Sequence, residues 1–123
     1  MNRDSYIIVN VGESKEQQIL VSFLDYTRRR FGIDSEIIVM VTPQDPRFEW
    51  TLEREDIHVI RTPWFLEKRD WWHTFNKLAS IKYLTDNYEI RDDCSLFFVD
   101  PVMIFIKSFD LPRAEPGKMF AQK

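Results

Sequence analysis

The stretch at residues 95–107, SLFFVDPVMIFIK, decides how this chain is read. Leu96, Phe97, Phe98 and Val99 form an apolar run that is too short for a free-standing helix and rich in aromatic and β-branched side chains. Bounded by Asp92 and Asp93 before and by Pro101 after, it reads as a strand buried on both faces, as the strands of parallel sheets are. Asp100 stands where that strand ends. Open α/β sheets bind ligands at the carboxyl ends of their strands, so position alone makes Asp100 a candidate site residue. Pro101 lacks an N–H and cannot continue a central ladder, which ends the pairing at the acid. Met103, Ile104, Phe105 and Ile106 then resume an apolar run and give the carboxylate a hydrophobic context. An ordinary turn built on Asp-Pro is the competing reading of the same residues.

Working outward, residues 6–11, YIIVNV, read as a first buried strand that stops at Gly12. Ser14 and Gln17 have the spacing of a helix-capping box. The helix they start carries apolar residues at Ile19, Leu20, Phe23, Leu24 and Phe31, close to the 3.6 period, and Gly32 ends it. Arg28, Arg29 and Arg30 fall in its last turn, where cations interact favourably with the helix dipole; that reading is preferred to an anion site. Residues 36–42, EIIVMVT, are a second buried strand closed by Pro43, which makes a strand–helix–strand unit with parallel pairing. Residues 47–55 fit a short helix or an irregular loop equally. Residues 56–61, DIHVIR, are a shorter, more exposed third strand with His58 on its polar side. From 71 to 86 runs a second helix whose Trp71, Trp72, Phe75, Leu78 and Ala79 share one side, widened by Ile81 and Leu84. His73, Asn76, Lys77 and Ser80 fall on its polar side. A last short run, Met119-Phe120-Ala121, completes the order β-α-β-β-α-β-β. This pattern predicts a single α/β domain over residues 1–123, a three-layer sandwich with a mostly parallel, Rossmann-like sheet.

Composition narrows the function classes. The chain has 123 residues, 44% hydrophobic and 30% charged, which is globular composition. A net charge of −3 without a basic stripe argues against nucleic acid as a partner. No segment has the length and apolarity of a membrane span, and no leader-like stretch precedes the first strand, so the expectation is a cytoplasmic protein without a membrane partner. The single cysteine, Cys94, excludes an internal disulfide and fits a reducing compartment; beside Asp92 and Asp93 it reads as structural rather than reactive. With three glycines in all, neither a P-loop nor a G-x-G-x-x-G turn can be assembled. Two histidines 15 residues apart form no metal site by spacing.

One resemblance adds to this. Asn76-Lys77-Leu78-Ala79 on a helix, followed by the strand Leu96-Phe97-Phe98-Val99 and then Asp100-Pro101-Val102-Met103-Ile104-Phe105, resembles the amino-terminal, nucleotide-binding half of GT-A-fold glycosyltransferases. In those families a buried strand ends in an acidic Asp-x-Asp motif, and the flavour here is that of the hydroxyproline arabinosyltransferase-like group, where an acid-Pro-Asp sequence is followed by an apolar pair. Lys118-Met119-Phe120-Ala121 is similar to the strand that follows the motif. The resemblance implies a nucleotide-sugar site, with a UDP-sugar as the first donor to consider. Val9, Asn10, Val11 and Thr42 would border base and ribose, Asn76 and Lys77 would approach the nucleotide from the second helix, and Lys77 would serve a phosphate. It also implies a divalent cation, Mn²⁺ or Mg²⁺, on Asp100, which matches the first acid of the motif.

The chain departs from that pattern twice. Val102 stands where the second acid belongs and offers no oxygen to a hard cation. Only 21 residues follow it, without a recognisable catalytic base, so the acceptor half of the family is not in this sequence and the domain reads as a truncated one. Two readings follow: a nucleotide-sugar-binding unit that transfers sugar only with a missing half or partner, and an inactive interaction or structural module on the same scaffold. A truncated half with Trp64, Trp71 and Trp72 clustered would also favour a homo-oligomer.

Overall fold

The computed structural model describes residues 3–43, 45, 47–52, 54–63 and 73–106, with the side chains of 73–77 outside the description. The element order is β1 (Ser5–Val11), α1 (Lys15–Arg30), β2 (Glu36–Val41), β3 (Ile57–Arg61), α2 (His73–Asn87) and β4 (Ser95–Val99). The four strands form one sheet in the order β3-β2-β1-β4. Every pairing is parallel, with Val9 level with Val39 on one side and with Val99 on the other. This is a Rossmann-like α/β sandwich. The three elements read as strands before the second helix, and the strand after it, are present; Met119-Phe120-Ala121 lies outside the described residues.

Alternation along the strands builds two cores. Ile7, Val9 and Val11 of β1, Ile37, Val39 and Val41 of β2, and Val99 of β4 face α1, where Val21 and Leu24 meet them. Tyr6, Ile8, Ile38, Met40 and Ile60 face the other way and meet Leu84 of α2. Ile7, Ile8 and Val9 are wholly buried because β1 has a strand on both edges and a helix on both faces. Each such aliphatic side chain contributes about 1.5–3 kcal/mol by leaving water. The connection between β2 and β3 packs Trp50, Phe48 and Leu52 into the α1-side core, and its described residues form an irregular loop, with Trp50 Nε1 donating to the Leu52 carbonyl at 3.0 Å.

The helix ends are built as the sequence expects. Ser14 caps α1, its Oγ accepting the Gln17 N–H at 3.3 Å, while Gln17 Oε1 accepts the N–H of Gly12 at 2.8 Å. At the other end Gly32 takes φ +67°, and the N–H groups of Gly32 and Ile33 reach the carbonyls of Arg29 and Arg28, a Schellman closure that favours glycine.

Four expectations need correction. The strand ending at Asp100 is an edge strand among the described residues, with Leu96, Phe97 and Phe98 half-buried; a short apolar run reads alike at the centre and at the rim of a sheet. The apolar run after Pro101 does not resume a strand: Met103, Ile104 and Ile106 are exposed, while Phe105 turns into the core and its N–H bonds to Thr27 Oγ1 at 2.9 Å. On α1, Ile19 and Phe23 point outward, because Asp25 and Arg28 occupy core-side positions that polar residues were not expected to fill. On α2, Leu78 is exposed and Ser80 fully buried, the reverse of the expected faces, because the sheet beneath Ser80 offers hydrogen-bonding groups.

Arg28 does more than complement the helix dipole. Its guanidinium bonds Asp25 at 2.8 Å, Asp56 at 2.5 Å and the Ser35 carbonyl at 3.1 Å, and Arg54 bonds the second Asp25 oxygen at 2.6 Å. This cluster locks the end of α1 to the amino ends of β2 and β3, far from the carboxyl rim. Burial alone would raise the Asp56 carboxyl, but the hydrogen bond and charge of Arg28, with Arg54, hold it below its ordinary value of 3.8.

Breaking a buried pair strands a charge, so Arg28→Ala is expected to cost about 3–5 kcal/mol in urea unfolding. Because the Asp56 carboxyl is held low in the fold, its contribution is complete above the ordinary value of 3.8 and is lost as pH falls below it. Asp56→Asn should therefore lower stability at about pH 6 and flatten the loss between about pH 5 and pH 2, measured as urea midpoints.

Candidate functional site at the carboxyl rim

The chain progresses from β1 through α1 to β2 and on to β3 in one direction, then returns through α2 on the opposite face to β4 on the far side of β1. The strand order therefore reverses between β1 and β4. Connections leave in opposite directions there, and in open α/β sheets the carboxyl ends of strands at such a reversal are where ligands bind. Val9 and Val99 are the last residues paired between β1 and β4, so Asn10 and Asp100 are the next residue along each strand.

Asn10 anchors a neutral polar network under α2. Its Nδ2 lies 3.1 Å from the Met40 carbonyl, 3.0 Å from Thr42 Oγ1 and 2.9 Å from Ser80 Oγ. Thr42 Oγ1 lies 2.7 Å from Thr62 Oγ1, and Thr62 Oγ1 reaches the Val41 carbonyl at 3.4 Å. Four side chains thus tie β1, β2, β3 and α2 together at one end of the sheet. Thr42, Thr62 and Ser80 are buried, and buried hydroxyls of this kind are stable only when paired. Asn10 is half-buried, and its Oδ1 has no hydrogen-bond partner among the described residues.

The expected site residues divide accordingly. Asn10 and Thr42 meet directly at the carboxyl end of the sheet. The side chains of Val9 and Val11 are core residues facing α1; Val11 meets the rim through its carbonyl, which accepts the Thr42 N–H at 2.9 Å. Asp100 follows β4 at the rim, half-buried, and its carbonyl accepts the Met103 N–H at 3.0 Å in the turn through Pro101 and Val102. Asn76 and Lys77 belong to the first turns of α2, with side chains outside the described ones. Trp64, Trp71 and Trp72 also lie outside the described residues. Sequence reading missed Thr62 and Ser80. The signal for Thr62 is a repetition: Thr42-Pro43 and Thr62-Pro63 each follow a strand, and the β2–β3 register brings the two threonines side by side.

The turn after β4 brings one carboxylate, that of Asp100, to the rim. Val102 is 70% exposed and contributes no oxygen beside Asp100. Among the described residues no group of three or more His, Cys, Asp or Glu could hold a metal ion. Glu13 Oε2 accepts the Asp45 N–H at 2.8 Å and ties the β1–α1 loop to the segment after β2.

At the opposite end of the sheet, a groove between α2 and β4 is lined by Thr85, Asn87, Tyr88, Arg91, Cys94 and Leu96. Burial pushes the Cys94 thiol up and outweighs the opposing charge of Arg91, so it is no activated nucleophile, as its sequence context suggests. Nε2 of His58, on β3, lies 2.8 Å from Glu36 Oε1, away from the rim. Among the described residues no helix is long and apolar enough to cross a membrane.

Comparison with known proteins gives no match: no family model, no curated protein and no solved structure.

Removing the Asn10 amide leaves buried hydroxyls short of a donor, whereas removing the Ser80 hydroxyl leaves Asn10 with two other acceptors. Asn10→Ala is therefore expected to cost about 1–3 kcal/mol and Ser80→Ala about 1 kcal/mol or less, compared by denaturant unfolding.

Proposed function

We propose that this chain is the nucleotide-sugar-binding unit of a glycosyltransferase-like protein of the GT-A kind, with a UDP-sugar as donor. The observation that carries the reading is the reversal of strand order between β1 and β4, with Asn10 and Asp100 next along the two strands. It supports a ligand site at the end of the sheet where the acid-ending strand resembles that family. The chemistry is compatible: Asn10 Oδ1 is an acceptor suited to the N–H of a uracil ring or to a ribose hydroxyl, and the network through Thr42, Thr62 and Ser80 fixes its orientation. Lys77 is the phosphate partner in this reading. Donor binding is the activity assigned; sugar transfer requires an acceptor-binding half beyond these residues.

A second reading keeps the scaffold without the chemistry, as an interaction or structural module. Val102 favours it, because one carboxylate is a weak cage for the cation that a diphosphate ordinarily brings.

Calorimetric titration with UDP and GDP, each with and without Mn²⁺, separates the two. The donor reading expects UDP to bind with a Kd of about 0.1–1 mM, or about −4 to −5.5 kcal/mol. Val102→Asp should add a Mn²⁺-dependent tightening of about tenfold, worth about 1.4 kcal/mol. Absence of nucleotide binding in both proteins removes the donor site and leaves the interaction module.

A further inference from the structure

The outward face of α1 is apolar where a solvated helix would be polar. Ile19, Phe23 and Tyr26 are 55%, 57% and 58% exposed, diametrically opposite the core-facing Val21, Leu24 and Arg28. With Glu16 before them and Arg30 after, these residues are spaced three, four, three and four apart, the spacing of a coiled-coil seam. The surface continues beside the helix. Phe105 joins the core next to α1 through its bond to Thr27, which sets the exposed Met103, Ile104 and Ile106 in the same layer. Six large apolar side chains are thus exposed on α1 and on the segment that follows β4.

The ends of the seam indicate what covers it. Glu16 lies at its amino end and Arg30 at its carboxyl end; both are exposed, and neither makes an ion pair among the described residues. They are 14 residues apart, about 21 Å along the helix, too far to pair within one copy. Phe23 is midway between them. A second copy of the same helix, run antiparallel about a two-fold axis at Phe23, brings opposite charges together at both ends. Isologous contacts of this kind are the commonest in symmetric dimers. Arg29, on the flank, is already turned to Asp25 at 3.1 Å. We propose that this chain forms a two-fold dimer by packing α1 antiparallel against α1 of a second copy. Phe23 meets its symmetry mate at the axis, and each Glu16 faces the partner's Arg30. The apolar seam supplies affinity, and the terminal charges fix direction and register.

Sedimentation equilibrium of the whole chain tests this, with circular dichroism to confirm that each variant remains folded. The expected result is a dimer that Phe23→Glu converts to monomer, and that Glu16→Arg or Arg30→Glu each weakens about tenfold or more. The double variant Glu16→Arg with Arg30→Glu restores the dimer, because the reversed charges meet again. That rescue cannot come from helix stability, since both reversals oppose the helix dipole and the double variant opposes it most. A monomer at all concentrations overturns the proposal, and means that the face is covered within the chain or by another protein. A dimer indifferent to Phe23→Glu overturns it in favour of another surface, such as the β4 edge. Loss of the dimer in both single variants without rescue in the double variant overturns the antiparallel register.

Discussion

The burial of β1 on both faces and both edges is the constraint from which the rest of the structure follows. A strand as apolar as residues 6–9 needs backbone partners on either side and side-chain cover above and below. β2 and β4 supply the partners; α1 and α2 supply the cover. Covering a central strand from both faces with connections that run outward in opposite directions reverses the strand order. Such a reversal marks the carboxyl ends of β1 and β4 as the usual place for a ligand in sheets of this kind. The candidate site is therefore a consequence of how the sheet satisfies its most apolar strand.

The two ends of the sheet solve the problem of buried polar groups differently. At the amino end, Asp25, Arg28, Arg54 and Asp56 neutralise one another in a charged cluster that staples α1 to β2 and β3. The carboxylates of this cluster are occupied by guanidinium groups. At the carboxyl end, the amide of Asn10 and the hydroxyls of Thr42, Thr62 and Ser80 form a neutral network in which Asn10 Oδ1 has no hydrogen-bond partner among the described residues. The charged cluster fixes one end of the sheet, and the neutral network lies at the end where the proposed donor would bind.

The element order and the parallel sheet were legible because they depend on patterns several residues long: YIIVNV, EIIVMV and the capped helix between them. The faces of the helices were not. α1 is apolar on two sides, and only the pairing of Asp25 and Arg28 with residues distant in sequence decides which side is buried. Ser80 read as a surface residue because its partners, Asn10 and Thr42, lie 70 and 38 positions away. At the candidate site, Asn10, Thr42 and Asp100 were accessible from their positions at strand ends, while Thr62 and Ser80 required the three-dimensional register. The run from 102 to 106 misled for a physical reason: apolar residues exposed at a surface and apolar residues continuing a strand have the same composition.

Amide chemical-shift mapping by NMR during titration with UDP tests most directly whether the β1/β4 rim is a nucleotide site. The account expects shifts concentrated at Asn10, Val11, Gly12, Thr42 and Asp100, with Arg28 and Asp56 at the opposite end unmoved. Shifts centred on the groove at Tyr88, Cys94 and Leu96, or none anywhere in the chain at millimolar UDP, would contradict it.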